Sequence, residues 1–314
     1  MKLLIALVVV TAVLCSDAAD FASFRQKYNK NYASEAEESR RYASFRDTLR
    51  VARLLNKLDK SAVYGDSPFM DMTEEEFAVT YLRPMQVNKT LPTSTVSASG
   101  AGYPSAWDWD DQGKVTPPEN ELQCGACWAF STVAAFESNN AIKGNPLVSL
   151  SRQQMIDCDT ADAGCEGGDP DTAAQYAVDK GLELEADYPY VAKDGRCKYK
   201  ANKVAFQPTG WADIESNEET IAEALYTTGP ITVAMNATPM QTYHRGIMNP
   251  KFCSPYMLDT TVLLVGYGHD DQTGLDFWRA KNSWGTSWGE DGFFRIVRGT
   301  NACGIAEWPV QPTL

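Results

Sequence analysis

The chain has 314 residues, 44% of them hydrophobic and 11% aromatic, so it can bury a proper core and exceeds one average domain. A net charge of −13, with a pI near 4.7, argues against nucleic acid or an anionic membrane surface as the partner.

Met1 and Lys2 precede an apolar run from Leu3 to Leu14, followed by Cys15, Ser16, Asp17 and Ala18. A bilayer span needs about 20 apolar residues, so this shorter run reads as a secretory signal peptide over residues 1–16. No later segment is apolar enough for a span. The expected setting is the secretory pathway, ending in a lysosome-like compartment or outside the cell.

From Asp20 to Leu58, Phe21, Phe24, Tyr28, Tyr32, Tyr42, Phe45, Leu49 and Ala52 recur at three-to-four spacing. That spacing predicts two amphipathic helices broken near Asn29 to Ser34. Thr73, with Glu76 three residues on, predicts the cap of a further short helix. Asn88 to Gly102 is rich in Thr, Ser, Ala, Gly and Pro, has no periodicity, and reads as an exposed linker and cleavage region. Residues 17–100 therefore form one helical segment with its linker, and 101–314 the main domain.

In that domain Trp128 to Ile142 and Asp171 to Lys180 have helical patterns. Ile231 to Met235, Val262 to Val265, Phe277 to Lys281 and Phe293 to Val297 read as strands between Gly-containing turns. Helices first and strands later predict an α+β protein with two lobes. Asn88 and Asn236 head glycosylation sequons, the second weakened by Pro239.

Once Cys15 leaves with the signal, seven cysteines remain: Cys124, Cys127, Cys158, Cys165, Cys197, Cys253 and Cys303. An oxidising compartment pairs them and leaves one over, either reactive or buried. The segment Gln123-Cys124-Gly125-Ala126-Cys127-Trp128-Ala129-Phe130-Ser131 bears on which one. A cysteine in the first turn of a helix faces the positive end of the helix dipole, which favours thiolate. This segment resembles the nucleophile motif of the papain and cathepsin family, differing at Ala126, where serine is commonest.

The resemblance runs over essentially the whole chain after the signal. It is carried by Leu150 to Cys158, Gly164 to Gly168, Asp187 to Tyr190, Val265 to Gly268, Lys281 to Gly289 and Cys303 to Ile305. Glu37, Arg41, Phe45 and Asn56, then Gly65, Phe69 and Asp71, fit the family's two pro-segment motifs; Thr48, Ala52 and Ser67 depart from them. The flavour is cathepsin L-like, and Gly144 to Leu150 resembles the trypanosomatid branch.

This resemblance implies a papain-like two-lobe fold. The Cys127 helix would lie in a helical left lobe beside an antiparallel β-barrel, and a helical pro-segment would inhibit from within the chain. It implies disulfides Cys124–Cys165, Cys158–Cys197 and Cys253–Cys303, with Cys127 free as nucleophile. It also implies that Asn282 orients a catalytic histidine under Trp284, and that Gly167, Gly168, Asp169, Pro170 and Asp259 line the substrate cleft. The expected partners are a polypeptide and the chain's own pro-segment, with a monomeric state and neither cofactor nor metal.

The pattern fails at two positions. The block Asp259-Thr260-Thr261-Val262, aligned without a gap, puts Thr260 where the family has its histidine. Threonine can neither take the thiol proton nor protonate a leaving amine. Glu121 stands where the family has the glutamine of the oxyanion hole, and losing such a donor costs about 10² to 10³ in turnover. The chain's two histidines offer little rescue. His269 lies nine residues beyond Thr260, about 30 Å along a strand, and His244 reads as a surface residue that could approach the cleft. These losses favour a polypeptide-binding pseudopeptidase. The alternatives are an active cysteine endopeptidase, working through a Cys127 thioester in an acidic endolysosomal compartment, and a disulfide-stabilised module with no cleft function.

Overall fold

The computed structural model describes residues 17–85 and 94–313. The expected signal peptide, the Asn88 sequon and part of the linker lie outside the described residues. The N-terminal segment begins with helix α1, at residues 17–27. The chain turns at Asn29, in the left-handed region at φ 51°, and enters α2 (Glu35–Leu58), whose N-cap Ser34 accepts from the Glu37 N–H. The break falls where the aromatic spacing placed it. Phe21 and Phe24 of α1 meet Phe45 of α2 at 5.3 and 5.1 Å between ring centroids, so residues three and four apart on each helix share one seam.

Strand β1 (Ala62–Tyr64) and helix α3 (Glu74–Tyr81) follow. Thr73 and Glu76 form the capping box that the sequence predicts, each side chain bonded to the other's backbone N–H at 3.0 Å. The linker differs from its sequence reading, because Ser94–Val96 forms strand β2.

The main domain carries β3 (Trp107–Asp108) and then three helices: α4 (Cys127–Ile142), α5 (Arg152–Cys158) and α6 (Pro170–Lys180). Next come β4 (Leu182–Glu183), β5 (Val204–Phe206), β6 (Trp211–Ile214), α7 (Glu218–Thr228) and β7 (Ile231–Met235). The chain ends with β8 (Tyr243–Met248), β9 (Thr260–Asp270), β10 (Leu275–Lys281), β11 (Phe293–Val297) and β12 (Pro309–Pro312). The predicted helices and strands are all present. Helices α5 and α7 were not foreseen: the first has a polar sequence that is nonetheless buried, and the second is rich in Glu and Thr.

The large sheet runs β1-β8-β11-β10-β9-β7-β12-β6-β2, with β3 against β9. Its pairs are antiparallel except β11 with β8 and β2 with β6, in keeping with the expected α+β architecture. Both end strands of this path, β1 and β2, come from the segment before residue 101. One core lies under α4, α5 and α6, around Trp128, Phe136, Met155 and Trp308. A second lies on the sheet, around Leu264, Trp278, Trp288 and Phe294, and it takes in Phe45, Phe69 and Phe77 of the N-terminal segment. Disulfides Cys124–Cys165, Cys158–Cys197 and Cys253–Cys303 form as the resemblance implies, and Cys127 is free. The Asn236 sequon is closed: Asn236 is 3% exposed and its Nδ2 donates to the Ser254 carbonyl.

Since Phe77 is buried in the shared core, Phe77→Ala should destabilise the full chain by about 3 to 5 kcal/mol, read from denaturant unfolding of both forms. A change below 1 kcal/mol would mean that the N-terminal segment is not part of that core.

Candidate active site

Helix α4 opens at Cys127 without a side-chain cap; the Ala126 N–H just before it donates instead to Glu121 Oε2 at 2.8 Å. Cys127 is 2% exposed. Its sulfur faces the start of β9, within reach of the Thr261 N–H and hydroxyl. The Thr260 hydroxyl also lies toward the sulfur, but it is buried and forms no well-shaped hydrogen bond. Thr261 is further held by Ser131 of α4, whose Oγ donates to Thr261 Oγ1 at 2.9 Å. Burial, and then the Glu121 carboxylate, push the Cys127 thiol up to about 11, so the neutral thiol dominates at physiological pH.

His244 stands 3.7 Å from Asp66 of the N-terminal segment, and exposed His269 pairs through Nδ1 with Asp276 at 2.7 Å. Asn282 is buried, and neither its Oδ1 nor its Nδ2 has a hydrogen-bond partner. Asn139 of α4 is a second buried amide in the same state. Asn282 lines one small cavity with Ser131 and Thr261.

Glu121 is fully buried. Its Oε1 accepts from Ser283 Oγ and from the Trp284 indole N–H, each at 3.0 Å. Desolvation outweighs these three donors and raises the carboxyl to about 8. Cys127, Thr260, Glu121 and Trp284 therefore lie in one buried cluster, and Asn282 lines the small cavity beside it.

Gly167 adopts φ 118°. The Asp169 N–H donates to Asp162 Oδ1 at 2.9 Å, and Pro170 is buried in the first turn of α6. Asp259 Oδ1 accepts from the Ala237 N–H, and burial lifts its carboxyl to about 6. Sequence reasoning missed Asp162, a half-hidden carboxyl raised to about 8 by burial, because nothing in its local pattern marks it. Thr261 could have been read from its place next to Thr260.

The N-terminal segment covers this pocket. Phe69, Phe77 and Tyr81 pack on the Trp284 indole at 5.5, 5.3 and 5.9 Å between ring centroids. Beyond α3 the backbone runs along the start of β9. The Arg83 N–H donates to the Asp259 carbonyl and the Met85 N–H to the Leu258 carbonyl, both at 2.8 Å.

Residues 103–313 match the papain family cysteine protease model, and residues 21–77 match the cathepsin propeptide inhibitor domain. The chain belongs to the papain family. Its relatives include a probable cysteine protease of Arabidopsis thaliana, RD19C, 39% identical over 91% of this chain and 82% of that one. A viral cathepsin of the Choristoneura fumiferana nuclear polyhedrosis virus is 39% identical over 97% and 96% of the two chains. A cysteine proteinase of Trypanosoma brucei brucei is 38% identical over 90% of this chain, which spans 64% of that protein. Among solved structures, the digestive procathepsin L2 proteinase of Tenebrio molitor larval midgut superposes with a TM-score of 0.89. It is 33% identical and covers 95% of this chain and 100% of its own. A papain-like fold with its propeptide in the same chain is thereby shown.

The raised Glu121 carboxyl gives this papain-family chain a distinctive pH response. The native state holds a proton on Glu121 that the unfolded chain releases near 4.5, so this residue's contribution to stability is full below that pH. It is lost as pH rises toward 8. The melting temperature of Glu121→Gln relative to the unmodified chain should therefore climb steadily between pH 4.5 and 8. A pH-independent difference in differential scanning fluorimetry would show that the carboxyl does not titrate in this window.

Proposed function

We propose that the protein is a papain-family zymogen of the secretory pathway whose cleft binds polypeptide with little or no cleavage. In this reading residues 1–16 are the signal peptide, 17–100 the inhibitory pro-segment with its linker, and 101–314 the peptidase-like domain. Cys127 holds the nucleophile position, Thr260 the histidine position and Glu121 the oxyanion-hole position. Asn282 is the orienting residue with no ring to orient.

The observation that carries this reading is the buried Cys127 sulfur facing Thr260 and Thr261 at the start of β9, where the resemblance expects an imidazole. Without an imidazolium the thiolate is scarce, and nothing delivers a proton to the leaving amine. Disabling one member of such a catalytic set in a comparable hydrolase costs up to about 10⁶-fold. Gly167, Gly168, Asp169, Pro170, Asp259 and Trp284 are proposed as the polypeptide-contacting residues. Three disulfides support an oxidising compartment, lysosome-like or extracellular, and no helix among the described residues is long and apolar enough to cross a membrane. The segment Gly144 to Leu150 supports a place near the trypanosomatid branch.

A competing reading, an active cysteine endopeptidase, is favoured by the protease names of the relatives and by the free Cys127. Turnover of a fluorogenic dipeptide by the processed 103–314 domain at pH 5.5, under reducing conditions, separates the two. No turnover by the native form is expected, with recovery of at least about 10²-fold in Thr260→His. Adding Glu121→Gln should give about 10² to 10³ more. Rapid native turnover abolished by alkylating Cys127 would establish the active enzyme.

A further inference from the structure

Ser44, Thr48, Val51, Leu55 and Leu58 recur three and four residues apart along α2 and so share one face of that helix. The face lines a cavity of about 700 Å³ at the seam between the pro-segment and the domain, where Pro239, Gln241 and Phe252 form the domain side. At 1.5 Å per residue the stripe is about 20 Å long, so the cavity is an elongated groove. Thr48 and Gln241 turn their donors to the Met72 carbonyl, each at 3.0 Å, and Val51, Leu55, Leu58 and Phe252 give the groove its apolar lining. Val51 is 52% exposed, Leu58 45% and Phe252 86%. Phe252 is nonetheless anchored, since it precedes Cys253, which is bridged to Cys303. Apolar side chains left open around a concave surface of this volume mark a ligand site.

Charge distinguishes the two ends of the groove. Toward α3, Arg40 and Arg41 stand with Glu74 and Glu76, two of each sign, and Arg41 is paired with Glu76 at 2.9 Å. At the other end the groove adjoins a cavity of about 410 Å³. Leu58, Asp59 and Lys251 line both spaces, and Lys60 lines the second. Asp59 is buried, and its carboxylate is filled by four donors: the Ser61 N–H and hydroxyl, the Tyr64 hydroxyl and the Asn249 N–H. Lys60 Nζ donates to the Asn56 carbonyl, and neither it nor Lys251 is ion-paired among the described residues. This end therefore holds two cations against one carboxylate that is already engaged.

We infer that the zymogen binds a free fatty-acid-like carboxylate, its alkyl chain along α2 and its head between Lys60 and Lys251. A net charge of −13 disfavours an anionic membrane as the source, so the ligand is the monomer in solution. One wall of the groove is pro-segment and the other is domain, so a bound ligand stabilises the joined form and holds the pro-segment in place. The inference needs only that the two parts pack in one chain, and nothing about cleavage enters it.

Titration calorimetry of the full chain with octanoate, decanoate and dodecanoate, below their micelle-forming concentrations, is the test. Affinity should rise about fourfold for each added methylene. Lys251→Glu should weaken decanoate about fivefold and leave decan-1-ol within twofold, because only the first carries a charge. Val51→Glu should weaken both at least about tenfold by placing a carboxylate in the apolar groove. Both substitutions fall at exposed positions and spare the core. Absence of saturable binding, or equal affinity in Val51→Glu, would overturn the inference, as would binding seen only with vesicles of anionic lipid. A concentration-dependent dimer that Val51→Glu dissociates in sedimentation velocity would also overturn it, since a second copy would then cover the groove.

Discussion

Helix α4 is buried on every side, and the rest of the main domain is arranged around that constraint. Such a helix carries buried polar groups that cost free energy unless they find partners inside the protein. Glu137 is the most demanding of these. Its carboxylate accepts from Thr116 at 2.5 Å, from the Leu150 N–H at 2.7 Å and from Arg152, itself buried, at 2.8 Å. Lys281 at the end of β10 joins through Thr116 at 2.9 Å, and burial lowers its pKa to about 8. One acid thus ties α4 to α5 and, through Thr116, to the strand lobe. Lys281 is followed by Asn282 and Glu137 lies on the Cys127 helix, so the same network fixes the thiol and the amide that flank the site.

The N-terminal segment completes the fold as well as covering it. A strand at the end of a sheet presents unpaired N–H and carbonyl groups that invite association. Here β1 pairs on β8 and β2 on β6, so the segment caps the two ends of the sheet path while Phe69, Phe77 and Tyr81 blanket Trp284. Ser99, Gly100 and Glu223 extend the β2 attachment, with the Ser99 N–H donating to the Glu223 carboxylate at 3.0 Å and the Gly100 N–H at 3.3 Å. Removal of the segment uncovers two edges and a tryptophan together. Covering of Trp284 and protection of the sheet are therefore one set of contacts.

How much was legible in the sequence depended on how local the cause was. The Thr73–Glu76 box, the aromatic spacing of α1 and α2 and the nine residues around Cys127 each act within a turn or two, and all were readable. Helix α5 was not, because Arg152, Gln153 and Gln154 look like surface residues; their burial depends on partners such as Glu137, Lys193 and Gly181 that lie far off in the chain. Strand β2 was hidden for the same reason, since Ser94-Thr95-Val96 has no pattern of its own and becomes a strand only against Ala212 to Ile214. The Asn236 sequon obeys the local rule, yet its amide is consumed by the Ser254 carbonyl. That Thr260 and Glu121 stand where the resemblance expects a histidine and a glutamine was read by register alone. That Asn282 is left unpartnered required the fold.

The two departures at the site are physically consistent with each other. A papain-type thiolate is tolerated in a buried pocket because an imidazolium stands beside it, and a carboxylate in the same pocket would compete for that cation. With threonine at 260, two anions at 121 and 127 would each raise the other's proton affinity. The pocket escapes this conflict by keeping both protons. Burial lifts Glu121 to about 8 and Cys127 to about 11, and a neutral acid beside a neutral thiol needs no counter-charge. A cation introduced beside Cys127 would draw off the Glu121 proton before the thiol's, since burial leaves the carboxyl near 8 and the thiol near 11. The protonation of Glu121 and that of Cys127 are therefore linked through the interior.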